Sequence, residues 1–449
     1  MNAFTSATNR PQLTAQIDPP VVPTSLSDTN VPVAVLENLL LKHLAHEVKA
    51  DIVHLSEKMA LATQLVDDLM LTLRKRSLIE VYQKHSVSST VNSKQHVLYG
   101  LSNSGLQEAD IAFLKDAYVG PAPVSLEDYE YVVSCQDIRR RNINREQVEH
   151  ALKDVHGSDS LVPFLGPAIN SGRAILLYGH SGTGKSFVAA QLLNAFDTSV
   201  YVPYAVYTSG NIIKVFSGHH HTRVDNNSAA RTVLLEQQYD RRWALCERPN
   251  IQVGGELTLD MLEVNHSEHN RVWLAPLQML ANNGLLIIDD LGRQKVSVDA
   301  LLNRWIVPME YSVDHLVLPS GQQITIPFVL TMAFSTNLNP MEIADPAFLR
   351  RLGYKVEFQP LLEDDYVDLV ETMFNKNNMQ SSPSALKYLL FLHNHFKVPF
   401  YPCIPKDIIG ICRDIISFEE RENIITNNVL DAAWRLYFTS DGVGEINHE

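Results

Sequence analysis

The chain has 449 residues, 45% of them apolar, with 37 Lys and Arg against 51 Asp and Glu for a formal charge of −14 at pH 7. That length exceeds one hydrophobic core and calls for roughly two to four domains. The acidic balance argues against a protein that coats nucleic acid, and no stretch is apolar enough to span a bilayer.

The opening residues, Met1-Asn-Ala-Phe, lack the basic-then-apolar order of a signal peptide. The four cysteines, Cys135, Cys246, Cys403 and Cys412, form no C-x-x-C pair and read as buried thiols of a reducing compartment. A cytoplasmic protein is expected. Residues 1–32 are rich in Thr, Ser, Asn and Pro and read as a disordered tail. Order begins near Val33: Leu36, Leu40 and Leu44 share a helical face, Asp51 to Ala60 forms a second helix, and Leu65, Leu69 and Leu73 stripe a third. Two β-like runs follow, at Leu78-Ile-Glu-Val-Tyr and His96-Val-Leu-Tyr-Gly-Leu, so residues 33–105 have the order of a winged helix. A winged helix often binds DNA. Here the third helix carries Asp67 and Asp68, and its basic cluster Arg74-Lys75-Arg76 lies at the end where cations also suit the helix dipole. A protein-contact or packing module is the favoured reading.

Residues 106–158 form a linker with polar helices. Apolar runs at Ala174-Ile-Leu-Leu-Tyr, Val200-Tyr-Val-Pro-Tyr-Ala-Val-Tyr, Gly284-Leu-Leu-Ile-Ile, Pro327-Phe-Val-Leu-Thr-Met-Ala-Phe and Tyr354-Lys-Val-Glu-Phe then alternate with helical stretches over 159–360. That alternation predicts a parallel, three-layer α/β sheet. An insertion is expected at about 208–281, with hairpin strands at Asn211-Ile-Ile-Lys-Val-Phe and Arg242-Trp-Ala-Leu-Cys. His219, His220, His221, His266 and His269 lie in it without cysteine or carboxylate spacing to support a zinc site, so they read as solvated loop histidines. From 361 to 449 the pattern is helical.

The most informative feature is Gly179-His180-Ser181-Gly182-Thr183-Gly184-Lys185-Ser186, directly after an apolar strand and opening a helix. This is the phosphate-binding P-loop in the setting its chemistry requires. Backbone N–H groups of the loop can turn inward around phosphate oxygens, and the helix presents its positive end to the same anion. Lys185 can reach the β- and γ-phosphates, and the Ser186 hydroxyl can ligate Mg²⁺. The strand Gly284-Leu-Leu-Ile-Ile ends in Asp289 and Asp290. Asp289 fits the Walker B role of holding Mg²⁺ with Ser186, and Asp290 can orient or deprotonate the attacking water. ATP and Mg²⁺ are the expected cofactors.

These motifs together resemble an AAA+ ATPase, of a bacterial branch described as predicted ATPases with chaperone-like activity. Branch-like phrases are Val202-Pro-Tyr-Ala-Val, Gly254-Gly-Glu-Leu-Thr-Leu-Asp-Met-Leu and Leu301-Leu-Asn-Arg-Trp-Ile-Val-Pro; Tyr118-Val-Gly-Pro-Ala-Pro-Val and the N-terminal helices look like it too. The resemblance implies a P-loop α/β domain with a C-terminal helical lid over 361–449. It implies further roles: Asn337 as sensor 1 placing water near the γ-phosphate, Arg350 or Arg351 as an arginine finger for a neighbouring subunit, and Lys406 at sensor 2. Two positions depart from the common pattern. The second Walker B carboxylate is Asp290 where Glu is usual, one methylene shorter in reach, and Lys406 stands where Arg is usual. The resemblance also implies a homo-oligomeric ring, a hexamer in the family, that remodels a protein client. The alternatives are a DNA-associated helicase-loader or transposon-helper ATPase, and a nucleotide switch that barely turns over.

Overall fold

The computed structural model describes residues 18–83, 97–196, 198–224, 239–267, 271–343 and 346–438. Its centre is a five-stranded parallel sheet in the spatial order Tyr354–Phe358, Ile175–Gly179, Thr331–Thr336, Leu285–Ile288, Asn250–Val253. Strands Leu285–Ile288 and Thr331–Thr336 are buried along their whole length, as parallel strands covered on both faces must be. Their side chains alternate between two cores. Ile175, Leu177, Leu285, Ile287 and Ala333 pack with Leu165, Ile169, Val188 and Leu192 on one face. Leu176, Leu286, Ile288, Met332 and Phe334 pack with Leu301, Trp305 and Phe348 on the other. Helices on both faces make the expected three layers.

One expected strand is replaced. Val200–Pro203 does not enter the parallel sheet but pairs antiparallel with Trp243–Cys246, and its other edge is closed by Gln136, which bonds the Tyr201 backbone on both sides. The vacant sheet position is filled by Asn250–Val253, from within the segment expected to be an insertion. That strand lies at the sheet edge with only Ile251 and Val253 buried, so its alternating Asn-Ile-Gln-Val lacks the continuous apolar run that marks a central strand. The run from Val200 to Tyr207 also divides at Tyr204. Ala205–Thr208 turns through Ser209 and Gly210, both at positive φ, to pair with Asn211–Lys214. Positive φ at both central residues is the hairpin turn that matches strand twist. The expected pairing of 211–216 with 242–246 is therefore absent; each run has another partner.

The N-terminal elements follow the expected order: helices Val33–Glu47, Ile52–Met59 and Thr63–Lys75, the pair Ile79–Gln83 with Val97–Leu101, then the helix Asn103–Lys115. Asp51 caps the second helix through the His54 N–H, and Ser102 caps the last through the Gly105 N–H. Residues 1–17 of the expected tail lie outside the described residues, but 18–32 are held in place. Buried Arg242 pairs with buried Asp240 and donates to the carbonyls of Thr29 and Pro123, while the Asp240 N–H donates to Pro20 O. That charge-assisted anchor binds a segment whose own apolar content is low.

Helices Glu363–Lys376, Ala385–Phe396, Cys403–Phe418 and Asn427–Tyr437 close the chain over a core of Tyr366, Leu389, Leu392, Ile408 and Trp434. Among the described residues no helix is long and apolar enough to cross a membrane.

His393 is buried in that last core, donating from Nδ1 to Val398 O at 2.9 Å and accepting at Nε2 from the Tyr366 hydroxyl at 2.7 Å. Burial pushes its pKa down from 6.5 to about 4. Between those values the unfolded chain binds the proton and the folded one does not, so stability falls as pH drops through this window. Urea unfolding should show wild type losing up to about 1.4 kcal/mol per pH unit from this group, a slope missing in His393→Phe. Parallel pH dependences of the two proteins would remove His393 as the cause.

Candidate functional site

The P-loop leaves its strand where Gly179 lies against the neighbouring strand; a Cβ there would fall 2.3 Å from Phe358 O. Gly182 and Gly184 take φ of 81° and 88°, the left-handed region that favours glycine, and Gly184 caps the helix Lys185–Gln191. Thr183 Oγ1 closes the loop on His180 O at 2.8 Å. Ser181 lies in the same cleft-lining stretch.

Lys185, 5% exposed, sends its ammonium to Gly179 O (2.9 Å), His180 O (2.8 Å) and Asn337 Oδ1 (2.8 Å). Burial lowers its pKa, and Asp289 and Asp290 oppose that shift. The next residue reaches across to the nearby strand end, where Ser186 Oγ donates to Asp289 Oδ1 at 2.6 Å. Burial alone would raise the Asp289 pKa, but hydrogen bonds from Ser186, Ser335, the Asp290 N–H and Gln252 outweigh it and hold the carboxyl below its usual range. Asp290 takes φ 50°, and its Oδ1 accepts from Asn337 Nδ2 at 3.3 Å. Asn337 thus stands between the lysine and the second carboxylate, accepting from one and donating to the other.

These groups line one cleft of about 1240 Å³. Its walls are the segment Asp154–Phe164, the P-loop, the strand ends with Asp289, Asp290 and Asn337, and the C-terminal helices with Cys403 and Lys406. Lys406 is exposed on the first turn of its helix. That helix touches the P-loop directly: Cys403 N–H donates to Gly182 O at 3.2 Å, and a Cβ on Gly182 would fall 2.4 Å from Cys403 Sγ.

Arg350 and Arg351 are not brought to this cleft. They follow the short helix Pro346–Leu349, both exposed, with Arg351 Nε 3.8 Å from Glu310 Oε2; Asp345 of the same motif lies outside the described residues. Sequence reasoning missed Gln252, whose Nε2 donates to Asp289 Oδ2 at 2.8 Å, because its strand went unrecognised. It also missed Gln294 in the turn after Asp290.

Among the described residues no group of three or more His, Cys, Asp or Glu is placed to hold a metal. His219 and His220 are exposed, whereas His221 is buried against Phe216 and bonded to Ser217 N and Leu280 O, so it is a packed core group rather than a solvated one. His266 packs on Trp273, and His269 lies outside the described residues. The cysteines are likewise not all buried: Cys135 is exposed and Cys403 half-buried.

The Ser186 hydroxyl and the ionised Asp289 carboxylate offer hard oxygen donors beside an anion-binding loop. That donor set fits Mg²⁺, which takes one or two protein oxygens and fills its octahedron with phosphate and water.

The site is therefore a P-loop carried at the C-terminal end of a parallel α/β sheet, with paired carboxylates on a strand end beside it. A family described as a domain of unknown function, DUF8689, matches residues 362–436, the C-terminal helices. No curated protein matches the chain in sequence. Among solved structures, a mutant of Thermotoga maritima RuvB is similar at 12% identity over 69% of this chain and 76% of that one, with a TM-score of 0.34. NtrX from Brucella abortus in complex with ATP is similar at 11% identity over 83% of this chain and 64% of that one, with a TM-score of 0.37. Overlays this loose leave the reading of the site to its own geometry.

The two positive-φ glycines separate two effects. Gly184→Ala meets nothing within 4 Å and should cost only the left-handed strain, about 1–2 kcal/mol. Gly182→Ala adds a collision with Cys403 and should lower the melting temperature further. Equal melting temperatures would show that the C-terminal helix does not rest on the loop.

Proposed function

We propose that this chain is an AAA+ ATPase that binds ATP with Mg²⁺ in the cleft between the parallel sheet and the C-terminal helices. The observation that carries the reading is the convergence of Lys185, Ser186, Asp289, Asp290 and Asn337, drawn from two strand ends and one helix, on a single loop built for phosphate. Lys185 places its charge on the phosphates. Ser186 and Asp289 hold Mg²⁺, which when bound neutralises developing phosphate charge. Asp290 orients the attacking water and accepts its proton, with Asn337 fixing the carboxylate from the side. Lys406 reaches phosphate as a point charge from the lid, without the fork of Arg.

Arg350 and Arg351 lie outside their own cleft, and this supports a role in a neighbouring subunit's site in a ring, a hexamer by the family resemblance. In this reading 33–105 is a winged-helix head, 106–158 a linker, 159–360 the ATPase domain and 361–449 its lid. Hydrolysis moves lid against sheet and so remodels or assembles a bound protein in the cytoplasm.

Lys185→Ala should abolish ATP binding in a titration while leaving the fold intact. Asp290→Asn should retain ATP but release phosphate far more slowly, and Asp290→Glu tests the shorter reach by restoring the commoner one. Phosphate release by Asp290→Asn at the wild-type rate would strip Asp290 of its role. A wild-type protein that binds ATP and releases no phosphate would make it a switch.

Assembly has its own test. Arg350→Ala/Arg351→Ala and Lys185→Ala should each be inactive alone, because fingers acting in trans are worth roughly 10³–10⁵ in rate. Mixing the two should restore part of the activity through interfaces that pair intact arginines with an intact P-loop. A monomer with concentration-independent specific activity would contradict the ring.

A further inference from the structure

One side chain closes the turn that carries Asp290. Gln294 Nε2 donates to the backbone oxygens of Asp289 at 2.8 Å and Asp290 at 3.2 Å, and Gln294 Oε1 accepts from the Gly292 N–H at 2.9 Å. The turn is also pinned from outside, where Leu291 N–H donates to Ser335 O at 2.8 Å. Within it Asp290 takes φ 50°, which a residue with a Cβ keeps only where its surroundings hold it. This backbone twist turns the Asp290 carboxylate toward Asn337 and the cleft while Asp289, one residue earlier, faces Ser186. Gln294 itself is half-buried and not part of the cleft lining, so any effect it has on chemistry passes through Asp290.

We propose that Gln294 is a positioning residue, which sets the Asp290 carboxylate by clamping the backbone of residues 289–292; the proposal rests on the ATPase reading above. The amide is required in full. Its NH₂ serves two carbonyls and its oxygen serves one N–H, three contacts that no other uncharged side chain of that length supplies. Glutamate at this position keeps the acceptor for Gly292 but turns a carboxylate oxygen toward two carbonyl oxygens. Alanine removes all three contacts and leaves Asp290 O with only the Arg293 N–H, which donates to it at 2.9 Å.

The test compares Gln294→Glu and Gln294→Ala with wild type in Mg²⁺-ATP binding, steady-state phosphate release and amide hydrogen exchange. Because misplacement of a reacting group by about 1 Å costs around a hundredfold, kcat should fall roughly ten- to a hundredfold. ATP Kd should stay within about twofold, since Lys185, Ser186 and the P-loop are untouched. Adding Gln294→Ala to Asp290→Asn should slow release by less than about twofold more, because residues that act as a unit are not additive. The Gly292 amide should exchange faster in Gln294→Ala.

Wild-type kcat in both variants, or losses that multiply with that of Asp290→Asn, would overturn the proposal. If wild type releases no phosphate, the ATPase reading fails on its own, and exchange alone judges the clamp. Unchanged Gly292 protection in Gln294→Ala then overturns it, and faster exchange upholds it.

Discussion

The hydrogen bond from Ser186 to Asp289, 2.6 Å long between residues 103 positions apart, exists only because the sheet orders its strands as it does. The P-loop strand lies beside Thr331–Thr336, and that strand lies beside Leu285–Ile288, so three C-terminal strand ends open on the same space. Ligands in open α/β sheets bind at such ends. The P-loop supplies N–H groups and a cation there, the next strand Ser335 and Asn337, and the third the two carboxylates. In this order the Asp289 strand end comes within hydrogen-bond reach of Ser186, the second residue of the P-loop helix.

Around that pair the chain places neutral amides. Gln252 holds the outer oxygen of Asp289, Asn337 bridges Lys185 and Asp290, and Gln294 clamps the turn that follows the carboxylates. None of them adds a charge; Asp289 is held below its usual range chiefly by the Ser186 and Ser335 hydroxyls and the Asp290 N–H, and Lys185 is balanced by Asp289 and Asp290. The C-terminal helices are tied to the same centre by the Cys403 N–H on Gly182 O, which makes the P-loop backbone a contact between the sheet and those helices.

Much of this was legible in the sequence, and the reasons are physical. The P-loop, Asp289 and Asp290 follow buried runs whose apolar continuity only a central parallel strand needs. Asn337 was implied by the family resemblance, and the structure puts its amide within hydrogen-bond reach of both Lys185 and Asp290. The edge strand Asn250–Val253 escaped because half of it faces solvent, and Gln252 escaped with it. Val200–Pro203 is as apolar as a central strand but packs with Tyr129, Val206 and Leu316 in a separate core. Gln294 left no periodic trace; its role depends on a backbone twist that only coordinates reveal. His221 looked like one of three loop histidines until its burial and its two backbone partners were seen.

The central claim is that Ser186 and Asp289 hold the metal of a bound nucleotide. Calorimetric titration of ATP with and without Mg²⁺, on wild type and on Asp289→Asn, tests it most directly. Wild type should bind ATP more tightly with Mg²⁺ present, and the variant should lose that gain while still binding ATP through Lys185 and the loop. Equal enhancement by Mg²⁺ in both proteins, or none in wild type, would contradict the site.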